Sequence, residues 1–104
     1  VKIGNNGMLW SGNHIGHGTV IRDHAYVSSH VVIAGHCIIG NRCFLGINST
    51  IKDFTTVGDD CFVAMDASVI NDLGDGSVVL GASCDTFKYD DKRARIIKRK
   101  YFGI

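Results

Sequence analysis

Five histidines carry most of the chemistry this sequence offers: His14, His17, His24, His30 and His36. Imidazole titrates near neutral pH, so it serves as a general base or a metal ligand. His24, His30 and His36 are six apart, which raises the question of a three-histidine metal set. His17 stands in a different setting, within Asn13-His14-Ile15-Gly16-His17-Gly18-Thr19. Other reactive groups are sparse. The cysteines Cys37, Cys43, Cys61 and Cys84 include no C-x-x-C pair, which argues against a zinc knuckle. There is no glutamate, no spaced carboxylate pair, no phosphate-binding glycine loop and no G-x-S-x-G. What the histidines can do depends on the elements that hold them.

Those elements follow from an internal repeat. Ile3, Leu9, Ile15, Ile21, Val27, Ile33, Ile39, Leu45, Ile51, Val57, Val63 and Val69 are each six apart, and all are aliphatic. The next position is often glycine, as at Gly4, Gly16, Gly40, Gly46 and Gly58. Four residues after the aliphatic usually comes a small side chain: Thr19, Ala25, Cys37, Cys43, Ser49, Thr55, Cys61 and Ala67. A period of six matches neither a helix nor a plain amphipathic strand. It matches a short strand and a tight turn, repeated. Three such units close a triangular coil of 18 residues, with successive coils about 4.8 Å apart. The expected fold is all-β: a left-handed parallel β-helix of about four triangular coils over residues 1–76, with a C-terminal cap and basic tail over 77–104. Glycine, asparagine and aspartate are expected to supply the permissive turn conformations.

The coil converts spacing into geometry. Residues 18 apart are neighbours in adjacent coils, and residues six apart lie on successive sides. His24, His30 and His36 therefore sit at three successive corners and cannot converge on one ion within a chain, which leaves coordination between subunits as the alternative to solvated turn histidines, and no metal site is assigned. Met8, Tyr26, Phe44 and Phe62 form an outward ladder with Trp10 beside it. An apolar stripe of this kind marks a subunit interface, a groove for a long ligand, or a groove between subunits. Cys43 and Cys61 stack inside adjacent coils as small core residues.

The formal charge of +1 is unevenly spread. Residues 1–84 hold four Lys/Arg and seven Asp, whereas residues 85–104 hold seven Lys/Arg and three Asp. The stretch from Lys92 to Lys100 reads as a short amphipathic helix, able to meet the phosphates of a nucleotide or to act as a solvated cap. With no secretory signal and no apolar run of about 18–20 residues, a cytoplasmic location with free thiols is expected, and no nucleic acid partner is indicated. Val1 already lies inside the repeat, so a preceding region is expected.

Residues 3–83 resemble the hexapeptide-repeat acyltransferases, and most of all the bacterial acetyltransferases of nucleotide-linked amino sugars and sialic acid. The run from Ala34 to Ser49, AGHCIIGNRCFLGINS, carries the resemblance most strongly, and Val79-Leu80-Gly81-Ala82 is similar to that family's exit from the helix. The resemblance implies a homotrimer with acetyl-CoA in a cleft between subunits. It implies His17 as general base and Tyr26, Ile47 and Met65 as acetyl-CoA contacts. It implies transfer to an amine or hydroxyl of a sugar or nucleotide sugar. The relatives carry a glutamate after the histidine, where this chain has Gly18. Two other classes fit the repeat: a non-catalytic trimeric assembly module, and a trimeric zinc enzyme of the γ-carbonic-anhydrase type, whose ligand spacing the histidines do not match.

Overall fold

A computed structural model describes residues 1–81 and 86–103. Cys84, and Ala82 at the end of the stretch Val79-Leu80-Gly81-Ala82, lie outside the described residues. The strands follow one another at the period of the repeat: β1 (Lys2–Ile3), β2 (Met8–Leu9), β3 (His14–Ile15), β4 (Val20–Ile21), β5 (Tyr26–Val27), β6 (Val32–Ile33), β7 (Ile38–Ile39), β8 (Phe44–Leu45), β9 (Thr50–Ile51), β10 (Thr56–Val57), β11 (Phe62–Val63), β12 (Ser68–Val69) and β13 (Val78–Val79). They form three parallel sheets, ordered β1-β4-β7-β10, β2-β5-β8-β11-β13 and β3-β6-β9-β12. These are the first, second and third faces of a left-handed β-helix. Among β1–β12 the register is 18 residues, as in Met8↔Tyr26, Tyr26↔Phe44 and Phe44↔Phe62. At the last pairing Phe62 meets Val78, so β13 extends the second face within the 77–104 segment.

Each strand's second residue points inward. Ile21, Val27, Ile33, Ile39, Leu45, Ile51, Val57, Val63 and Val69 are buried, and so are the small residues four positions later. Burying one such aliphatic side chain contributes about 1.5–3 kcal/mol. Ile3, on β1 at the edge of its sheet, is 49% exposed. The buried thiols of Cys37, Cys43 and Cys61 are free. They donate to carbonyls one coil away, at Lys52 (3.1 Å), Gly58 (3.1 Å) and Gly74 (3.3 Å). Burial pushes the Cys43 thiol above its ordinary pKa.

The corners differ from expectation in one respect. Left-handed backbone falls every six residues, on Asn6, Gly12, Gly18, Asn48, Asp60 and Asp66 as expected, but also on His24, His30, His36, Arg42 and Phe54. Gly4, Gly16, Gly40, Gly46 and Gly58 are not left-handed. They are glycine because the next coil leaves no room: a Cβ on Gly16 would lie 2.5 Å from the Ala34 carbonyl carbon, and one on Gly46 2.5 Å from the Met65 nitrogen. After the β-helix comes α1 (Lys92–Phe102), capped by Asp91 at its start and by left-handed Gly103 at its end. It matches the helix expected over 92–100 and buries none of its residues.

Candidate functional site

His17 lies on the third corner, between the third and first faces, immediately after β3. Its backbone is held from several sides. Gly16 packs against the Ala34–Gly35 backbone, and its N–H donates to Ile33 O (2.7 Å). The Thr19 N–H closes the turn on Gly16 O (3.2 Å), while buried Thr19 Oγ1 donates to Ala34 O (3.1 Å). The His17 carbonyl accepts from the His36 N–H (2.8 Å). The imidazole itself is exposed. Its ring meets that of His36 edge to face, with centroids 5.6 Å apart and planes at 83°. His36 in turn stacks on Phe54, at 4.9 Å and 11°. A shallow depression of about 480 Å³ opens further along this corner, beside Lys52, Asp53, Phe54 and Asn71.

Tyr26, Ile47 and Met65 occupy another side. Tyr26 projects from β5 on the second face, stacked on Phe44 at 5.1 Å and 14°. Phe44 continues onto Phe62 at 5.0 Å and 7°. The outward ladder read from the sequence is therefore a physical column of parallel rings. Ile47 (52% exposed) and Met65 (63%) follow on the second corner, between the second and third faces. They sit one above the other, in register through the Asp66 N–H to Ile47 O bond (2.9 Å). Trp10, Met8, Val78 and Leu80 widen the same apolar strip, each at least half exposed. Within one chain this strip and His17 do not meet. The outer row of the third face, His14, Val32, Thr50 and Ser68, lies between them.

The remaining histidines are corner residues. His24 Nδ1 is 2.9 Å from Asn6 Nδ2 on the first corner, and His30 lies over Gly12 on the second. His24, His30 and His36 thus stand at three different corners. Among the described residues no three His, Cys or Asp side chains gather as a metal site. The first corner is occupied by structural polar groups. Asp23, Asn41, Asp59 and Asp75 each accept, through Oδ1, a backbone N–H from the coil above, at 2.7–2.9 Å. On the same corner Arg42 grips Asp60 with two bonds, which holds that carboxyl below its ordinary pKa.

The sequence reading named His17, Tyr26, Ile47 and Met65 but treated His36 as a solvated corner residue and did not single out Phe54. A signal for both was present, because Gly18, His36 and Phe54 are 18 apart and share one column.

Residues 36–71 match the bacterial transferase hexapeptide (six repeats) family model. No curated protein sequence matches the chain. Among solved structures, the chain is similar to a mutant of perosamine N-acetyltransferase from Caulobacter crescentus in complex with CoA and GDP-perosamine. The identity is 24% and the TM-score 0.74, covering 76% of this chain and 38% of that one. It is also similar to PerB from Caulobacter crescentus in complex with the same two molecules, at 22% identity and TM-score 0.58, covering 74% of this chain and 46% of that one. The chain thus spans less than half the length of these structures, and the likeness establishes the fold. No helix among the described residues is long and apolar enough to cross a membrane.

Proposed function

We propose that this β-helix is the acyl-CoA-binding and catalytic module of an acetyltransferase, acting as a homotrimer on an amine or hydroxyl of a sugar or nucleotide sugar. One observation carries the reading. An exposed basic side chain, His17, and an exposed apolar strip through Tyr26, Ile47 and Met65 lie on opposite sides of the third face. Neither makes a site alone. Side-by-side packing of copies joins the His17 corner of one to the strip of the next and covers the aromatic ladder. The resulting cleft runs along the solenoid axis, which suits a long, thin pantetheine arm. The fold shared with perosamine N-acetyltransferase, whose structures hold CoA and GDP-perosamine, supports acetyl-CoA as co-substrate.

In this reading His17 takes the proton from the acceptor N–H or O–H as that atom attacks the thioester carbonyl. The tetrahedral oxyanion then collapses and the C–S bond breaks. The departing CoA sulfur receives the proton from the His17 imidazolium, which regenerates the base. A backbone N–H within the cleft would stabilise the oxyanion.

The test is calorimetric titration of acetyl-CoA into wild type, Tyr26→Ala and Met65→Asp, followed by an acceptor screen with His17→Ala as control. Saturable binding, weakened by about tenfold or more in each strip variant, is expected; each tenfold step is about 1.4 kcal/mol. His17→Ala should bind acetyl-CoA as wild type does while transfer is lost. Absence of binding by a folded trimer would overturn the reading.

A further inference from the structure

The third corner holds an aromatic stack that the acetyltransferase reading does not use. Its three left-handed positions are Gly18, His36 and Phe54, one per coil. Among the described residues the corner side chains in this conformation are Asn, His, Arg and Asp, with Phe54 the one apolar exception. Left-handed backbone is tolerated best by glycine and by Asn, Asp and His; for a bulky aromatic it is a strained choice. Phe54 is also 74% exposed, so core packing does not explain it. What Phe54 does is stack under the His36 ring, nearly parallel at 4.9 Å.

His36 is held from above as well. A Cβ on Gly18 would lie 2.5 Å from His36 Nδ1 and 2.9 Å from its Cε1. The missing side chain at position 18 is the space into which the His36 ring fits. The residue directly below His17 in its own column is Gly35, which has no side chain to support an imidazole. His17 instead meets the His36 ring edge to face. The backbone keeps the three in register, through His36 N–H to His17 O (2.8 Å) and Phe54 N–H to Gly35 O (3.0 Å).

We infer that His36, seated over Gly18 and backed by Phe54, is a positioning residue that fixes the orientation of the His17 imidazole. This rests on the reading of His17 as the general base. The three residue types then have one physical reason. Gly18 clears the space, His36 fills it with a flat ring, and Phe54 supplies the second ring that stops His36 from turning away. An exposed imidazole otherwise samples several rotamers, and a general base loses rate when its reacting nitrogen is misplaced by even about 1 Å.

The experiment compares wild type, His36→Ala, His36→Phe, Phe54→Ala and Gly18→Ala. The first readout needs no substrate: the NMR resonances of the His17 ring protons, assigned by their loss in His17→Ala. Packing on the His36 ring displaces these resonances by its ring current. They should move toward solvent-exposed values in His36→Ala, Phe54→Ala and Gly18→Ala, and stay near wild type in His36→Phe. The second readout is steady-state transfer. His36→Ala should lose about tenfold in kcat at unchanged KM for acetyl-CoA, and His36→Phe should recover most of it. Unmoved His17 resonances in His36→Ala would overturn the inference. So would moved resonances with unchanged kcat, or a His36→Phe variant that behaves like His36→Ala. If wild type transfers no acetyl group, the acetyltransferase reading fails, and the spectra still decide whether His36 seats His17.

Discussion

Replacing Gly16 by alanine tests whether the glycines after the inward aliphatics exist for space or for conformation. A Cβ at position 16 would lie 2.5 Å from the Ala34 carbonyl carbon, 2.6 Å from the Gly35 nitrogen and 2.8 Å from the Ala34 oxygen. All three are backbone atoms, so no side chain can turn aside. Reaching the 3.4 Å at which ordinary contact begins requires the two coils to part locally by 0.9 Å. The Gly16 N–H to Ile33 O bond, 2.7 Å long, would then stretch beyond hydrogen-bonding range. Overpacking costs about 1–3 kcal/mol and a lost hydrogen bond about 1 kcal/mol, so Gly16→Ala should destabilise by about 2–4 kcal/mol. Gly74 is the control. Its backbone is not left-handed and nothing lies within 4 Å of its Cβ position, so Gly74→Ala should be neutral or stabilise by about 0.4–1 kcal/mol. Urea midpoints at one protein concentration, with the slope unchanged, give both values. A Gly16→Ala midpoint within about 0.5 kcal/mol of wild type would refute the steric account, since that is the size of an ordinary surface substitution.

Two further outcomes are expected. Ile39→Ala removes a fully buried side chain stacked between Ile21 and Val57, and should cost about 2–5 kcal/mol by the same denaturation assay. Burial raises the Cys43 thiol pKa, so the fold favours the neutral form. The contribution of that preference is fully present below the ordinary thiol pKa and is lost as the pH climbs through the raised one. Denaturation measured from about pH 8 to about pH 11 should therefore show a shallower alkaline loss of stability in Cys43→Ala than in wild type, and parallel curves would count against it.

The fold was legible because its signal is long and regular. A period of six over twelve aliphatics determines the strands, the inward rows and the outward ladder from Met8 to Phe62, and each appears in the structure. The corners were harder to read, because two physical demands alternate there. One position needs absence of volume and the other needs left-handed backbone, and glycine satisfies both. The sequence reading assigned glycine to the second demand alone. In the structure Gly16 and Gly46 meet the first, while His24, Arg42 and Phe54 carry the left-handed turns. The contact between His17 and His36 was hidden for a related reason. The two are 19 apart rather than 18, and they touch because the column beside His17 begins with Gly18.

The three corners divide the labour of the chain. On the first corner the Asp and Asn side chains close on backbone N–H groups coil by coil, and Arg42 neutralises Asp60. These carboxyl and amide oxygens are satisfied internally, which suits a structural seam. The second corner does the opposite at Ile47 and Met65, where two large apolar side chains stand more than half exposed next to the column of stacked rings. The third corner presents His17 with its ring partners His36 and Phe54, exposed but mutually packed. Exposed apolar surface of this extent usually marks a place where something binds, and the proposed role of His17 as a base needs a substrate within its reach. Because the third face separates the second and third corners in one chain, the two halves of the proposed cleft would meet only with a neighbouring copy. The oligomer is therefore expected to be the unit of function rather than a packing convenience.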